Sequence, residues 1–192
     1  MKVIKLVMIV GFVMFFSLLT LGCSKNSFQE QDIQELALEM SSEDNAMVDW
    51  ETLEANDGIN NKRLRIFFRE LRETHIILQT KRNDVKDLYA NLITIREQFE
   101  TTNQTLSESD YDIIVKAIQS IHIQKFLLQN TIGQGYQQLS LVINNHSDYD
   151  NETIKTMLTE VYITFQSRIQ IYEDIYESLD SIIIILNNYM EE

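Results

Sequence analysis

Three bases interrupt helical apolar stripes: Lys81, Lys125 and Arg168. Each falls near the middle of its stripe, and no acid occupies a stripe position. Burying an unpartnered cation costs on the order of several kcal/mol. Three at matched heights therefore admit a short set of readings. The long stems pack while the charged heads reach solvent, or reach Asp84 or Asp174 on the flanks. Alternatively the three form one central layer that binds an anion or is completed by a partner's carboxylate. A register-setting role is the third reading. His75 or His122 falls within a turn or two of this layer.

Other residue types offer less. His75, His122 and His146 form neither a His-x-x-x-His nor a Glu-x-x-His pair, the spacings that set two ligands on one helix face. Glu173, Asp174, Glu177 and Asp180 stand at i, i+3 and i+4 spacings but lack the EF-hand pattern, so they read as a solvated face and no metal site is expected. Thr131-Ile132-Gly133-Gln134-Gly135-Tyr136 places two glycines inside a helical pattern, where each costs about 1 kcal/mol against alanine. The pair predicts a kink or a close helix approach, and a phosphate loop is excluded because no Lys-Ser/Thr follows. No Gly-x-Ser-x-Gly and no nucleophile–base set is present. The expectation is a protein without catalytic residues, and net charge disfavours nucleic acid as a partner.

The cysteine has a specific setting. Lys2 and Lys5 precede an uncharged run from Leu6 to Leu21, followed by Gly22 and Cys23, the sole cysteine of the chain. A positive start, an apolar run and a small residue before the cut are the parts of a secretory signal. The run is shorter than the roughly 20 residues that span a bilayer. Leu19-Thr20-Leu21-Gly22-Cys23 resembles the lipobox of bacterial lipoproteins, with Thr20 where leucine is usual. The resemblance covers residues 1–23. It implies that Cys23 receives a diacylglyceryl group, that residues 1–22 are removed, and that the new N-terminus is acylated with a fatty acid such as palmitate. Two or three acyl chains anchor stably, at about 0.8 kcal/mol per buried methylene. Ser24 after the cysteine resembles the signal for the outer membrane of a two-membrane cell. In a one-membrane cell the same features imply the outer leaflet of the plasma membrane.

The elements that carry these residues follow from composition and period. The chain has 192 residues, no proline, five glycines and a formal charge of −13. Such a sequence lacks the turns of a many-stranded sandwich or barrel, so an all-α fold is expected. Residues 23–60 are acidic, with Lys25 as their one base, and read as the lipidated N-terminus and a tether. Ile33, Leu36 and Met40 allow one short helix there, and Trp50 and Leu53 form an apolar pair. Residues 61–86 carry a net charge of +5 and residues 87–192 a net charge of −11. The basic segment could face anionic lipid headgroups or wall polymers, or be compensated by the acidic tether and neighbouring faces.

From residue 61 the apolar period is that of a coiled coil. Leu64, Leu71, Leu78, Val85, Leu92 and Phe99 form the a column. Phe67, Thr74, Lys81, Leu88, Ile95 and Thr102 form the d column. Ser107-Glu108-Ser109-Asp110 has the form of a capping box and opens a second stripe from Tyr111 to Val142. A third runs from Ile154 to Tyr189. The pattern predicts three helices over about 61–102, 108–144 and 150–190. Their short connections make sequential helices antiparallel neighbours, giving a coiled-coil-type three-helix bundle of spectrin-like architecture. A hairpin that dimerises is the alternative. The expected function is that of a lipid-anchored envelope protein acting by contact, with an envelope protein or wall polymer as partner. A small-ligand or anion-binding module using Lys81, Lys125 and Arg168 is the alternative.

Overall fold

The computed structural model describes residues 62–102, 104–131 and 133–191. The signal segment, Cys23, the tether, and the Trp50–Leu53 pair lie outside the described residues. Those described are all-α, with no strand among them. They form three helical segments, the middle one divided in two. Helix α1 spans Lys62–Thr101, α2 spans Glu108–Asn130, α3 spans Gln134–Asn145, and α4 spans Asn151–Met190, with a short 3-10 turn at His146–Asp148 before α4.

The helix starts follow local chemistry. Ser107 caps α2: its Oγ accepts the Asp110 N–H at 3.1 Å. The return half of the capping box is made through another helix. The Ser107 N–H donates to the Tyr189 hydroxyl at 2.8 Å, and that hydroxyl donates to the Asp110 carboxylate at 2.7 Å. Tyr189 therefore has a defined role that its place in the stripe did not suggest. Asp150 caps α4 by accepting the Thr153 N–H at 2.7 Å. Both carboxyls are held below the ordinary carboxylate range. For Asp110 the hydrogen bonds from Ser107 and Tyr189 are responsible, and for Asp150 those from Thr153.

The predicted middle helix is two helices. Gly133 has φ +71°, a left-handed conformation that only glycine adopts without cost, and the ladder of α2 stops there. The Thr131 N–H turns back to the Leu128 carbonyl at 3.1 Å, and the Gln137 N–H takes the Gly133 carbonyl at 2.8 Å, opening α3.

Helix α4 is the centre of the packing, with close backbone approaches to α1, α2 and α3. Ile154, Leu158, Val161, Phe165, Arg168, Tyr172, Ile175, Leu179, Ile182 and Leu186 are all buried along its stripe. Ile169, Ile171 and Ile183 are buried beside them, because a helix with neighbours on several sides needs more than one seam. The contacts also have a direction. Phe67 meets Tyr162, His75 meets Phe165, Lys81 meets Glu173 and Phe99 meets Tyr189, so numbers rise together along α1 and α4. Asp110 meets Tyr189, Gln124 meets Asp174, and Gln138 meets Glu160, so along α2 and α3 they run in opposite order.

The α1 stripe differs from the expected one in its second column. Leu64, Leu71, Leu78, Val85 and Leu92 are buried as the a column requires. Of the d column, Thr74 and Ile95 are buried, but Lys81 and Leu88 are only half-buried. The next residues, Arg82 and Tyr89, are buried instead, as is Phe68 one place after Phe67. A helix of 3.6 residues per turn on a globular core buries a broad stripe of a, d and e positions. The narrow a/d seam belongs to a supercoil. Here e is the deeper of the two at Phe68, Arg82 and Tyr89, and d at Thr74 and Ile95.

Candidate functional site

This one-residue shift changes the basic layer. Lys81 is not part of it. Its ammonium sits on the surface, 3.0 Å from the Glu173 carboxylate, and that hydrogen bond and charge hold its pKa up. Arg82 takes the buried position, with 1% of its surface exposed. Arg168 and Lys125 are buried, at 2% and 8% exposed, rather than carrying their heads to solvent. The buried position that the stripe assigned to Lys81 is filled by its neighbour Arg82, which with Arg168 acts on Tyr172.

Arg168 has a specific structural task. Its Nη1 donates to the Leu128 carbonyl at 3.1 Å and to the Thr131 Oγ1 at 2.7 Å. Those groups lie at the C-terminal end of α2, where the i+4 donor is lost at the break and the Leu128 carbonyl takes the Thr131 N–H instead, with Arg168 as a further donor. A guanidinium from α4 thus caps α2 from outside, and a cation also suits the negative end of the helix dipole. Burial lowers the Arg168 pKa, while the adjacent Tyr172 acts in the opposite sense. The Tyr172 phenol is pushed up by burial and drawn down by Arg168 and Arg82.

Arg82 opens a polar chain that crosses from α1 to α3. Its Nη1 donates to Gln79 Oε1 at 3.3 Å. The Gln79 amide donates to the Tyr136 hydroxyl at 3.2 Å. That hydroxyl lies 3.0 Å from His75 Nε2. Run in this order, Tyr136 donates to the imidazole and His75 accepts, which requires its neutral form. Burial pushes the His75 pKa down in the same sense. The rings of His75, Tyr136 and Phe165 pack with centroids 5.3–5.6 Å apart.

Gly135 permits this packing. A Cβ there would stand 2.8 Å from Phe165 Cε1, closer than carbon atoms approach. The two glycines thus divide the work: Gly133 breaks the helix, and Gly135 lets α3 close on Phe165. The break opens the Leu128 carbonyl and Thr131 hydroxyl to Arg168, and the close approach brings Tyr136 to His75.

A groove lies elsewhere, between α1 and α4, with a volume of about 880 Å³. It is lined by Lys81, Asp84, Asp87, Glu173, Tyr176 and Glu177 among others, and by no member of the buried layer. Of the late acids, Glu173 pairs with Lys81, and Asp174 accepts from Gln124 at 3.0 Å and Gln170 at 2.9 Å. No group of three His, Cys, Asp or Glu among the described residues could hold a metal ion. No helix among them is long and apolar enough to cross a membrane.

Sequence reasoning missed Arg82, Gln79 and Tyr136 as a set. Arg82 was legible in one respect, as the i+4 neighbour of Leu78 on the same face. The meeting of Tyr136 with His75, 61 positions apart, has no local signal. Comparison of the chain with protein families, curated proteins and solved structures finds no match.

Proposed function

We propose that this chain is a lipid-anchored cell-envelope protein whose helical bundle acts as a non-catalytic interaction or scaffold module. One observation carries the reading: an uncharged run from Leu6 to Leu21 lies behind Lys2 and Lys5 and ends at the only cysteine, Cys23. Lipid on Cys23 holds the mature chain to the outer leaflet of a membrane, and the acidic segment 24–60 spaces the bundle from it. The bundle is an up-down-up, spectrin-like arrangement in which α2 and α3 together serve as one kinked middle helix. The opposed order of contacts along α4 supports that topology. Partner recognition belongs to the outer faces, because His75, Gln79, Tyr136 and Arg168 are engaged with one another or with the helix break. The alternative, an anion-binding module on Lys81, Lys125 and Arg168, is weakened by the pairing of Lys81 with Glu173 at the surface.

The test is metabolic labelling with a palmitate analogue, followed by mass spectrometry of the N-terminal peptide. The expected result is a labelled chain that begins at Cys23, and loss of both label and cleavage in Cys23→Ser. An unlabelled chain that still begins at Met1 would overturn the anchor. Photo-crosslinking in the native cell tests the contact role: a defined envelope protein or polymer should be captured by the wild type and lost in Cys23→Ser. The same adducts in both forms would refute it.

A further inference from the structure

The surface acids are distributed unevenly, and this singles out one face. The chain has 29 Asp and Glu residues, yet residues 113–147 contain none and carry only Lys116 and Lys125. This stretch makes up nearly all of α2 and the whole of α3. It also exposes a run of large apolar side chains. Ile123 is 61% exposed and Phe126 is 62% exposed, with Ile113, Leu127 and Leu141 also open. Ile123, Phe126 and Leu127 are spaced i, i+3 and i+4, and Ile113 lies on the same side of α2, opposite the face that Ile114 and Leu128 bury on α4. On α1, by contrast, exposed Ile66, Ile76 and Ile77 are scattered among Arg65, Arg69, Glu70 and Glu73. Single exposed apolar residues are ordinary, whereas a contiguous group marks a contact surface.

We infer that the outer face of α2 is a self-association surface that takes the same face of a second copy of this chain. Charge selects the occupant. Two chains of charge −13 repel wherever their acids meet, and the α2 face, which has no acid of its own from Ile113 to Asn130, is where they can approach with the fewest opposed carboxylates. A bilayer is a poorer fit, since a membrane-surface helix presents several Lys or Arg beside its apolar face, and here Lys116 is the exposed one. A two-fold axis through Ser120 gives an antiparallel pairing that sets Ile113 of one copy over Leu127 of the other and places a small residue at the crossing. Asp174 of α4 stays at the edge of the face, engaged by Gln124; within α2 the nearest acid, Asp112, lies 16 positions along the helix pair from its counterpart. That is about 24 Å at 1.5 Å per residue, beyond a Debye length of about 8 Å. Two-fold contacts of this kind are the commonest form of homo-oligomer. The inference does not depend on lipid at Cys23.

The test uses the full chain with Cys23→Ser and Ser120→Cys, so that the only thiol lies at the proposed axis. Purified in nonionic detergent and oxidised mildly, it should form a disulfide dimer. A control chain with Cys23→Ser and Glu177→Cys, its thiol in the acidic groove, should remain monomeric. Adding Ile123→Glu and Phe126→Glu to the Ser120→Cys chain should reduce dimer at least tenfold without lowering the melting temperature. Equal dimer from both thiol positions, or none from Ser120→Cys, would overturn the inference. So would a monomer that binds anionic vesicles through Phe126, because the face would then belong to lipid.

Discussion

The α2–α3 segment and α4 run alongside each other with similar apolar periods, yet one is broken and the other is continuous. Helix α4 has no glycine and runs for 40 residues. The α2–α3 segment carries both glycines and stops at Gly133. The break sits opposite Arg168 and beside the His75–Tyr136–Phe165 cluster. The difference teaches that the polar layer and the kink are one feature. The kink ends α2 at the Leu128 carbonyl and the Thr131 hydroxyl, and Arg168 is a buried cation that takes both as acceptors.

The comparison can be broken most severely at Gly135. Gly135→Leu should lower stability by about 3 kcal/mol, since overpacking a close contact costs about 1–3 kcal/mol and the added Cβ alone would collide with fully buried Phe165. Chemical denaturation would measure the loss, and an unchanged midpoint would show that α3 does not approach α4 as closely as described. Arg168→Met retains the stem and removes the donor to Leu128 and Thr131. The Leu128 carbonyl keeps the Thr131 N–H, so the loss is that of the bonds from a charged donor, about 1.5–3 kcal/mol, seen as a melting temperature lower by about 2–4 °C per kcal/mol. Gly133→Ala should cost about 1–2 kcal/mol, the cost of left-handed backbone for a residue with a Cβ, with Gly133→Asn the milder change. A gain instead would mean that α2 and α3 join into one helix.

Two smaller effects sharpen the same contrast. His75 has a pKa below the ordinary imidazole value of 6.5 because it is buried. The unfolded chain therefore takes up a proton at His75 before the folded one does. The stability from the neutral imidazole is complete above pH 6.5 and is lost as pH falls from there toward the folded pKa. His75→Gln should flatten that slope in a pH series of melting temperatures. Asp110 and Asp150, whose pKa values are lowered from 3.8, act only in a more acidic window. Smallest is Lys125→Met, which exchanges a buried charge for an apolar stem and should leave the melting temperature unchanged or slightly higher. Its loss of affinity for an anion, at unchanged stability, would revive the ligand-binding reading.

Much of this architecture could be read from one sequence. The absence of proline, the a column of α1 and the stripe of α4 determine that the region is helical and which faces are buried, because amphipathic period is a local property. The Ser107 cap and the special status of Gly133 and Gly135 are equally local. What the sequence alone left open is each choice between near-equal neighbours. Lys81 and Arg82 are adjacent and both basic, and only the placement of α4 beside α1 sets one against Glu173 and buries the other. The completion of the Ser107 cap by Tyr189, the capping of α2 by Arg168, and the meeting of His75 with Tyr136 join residues tens of positions apart. Such pairings arise only when whole helices pack, since burial makes each polar group seek whichever partner the fold brings within reach.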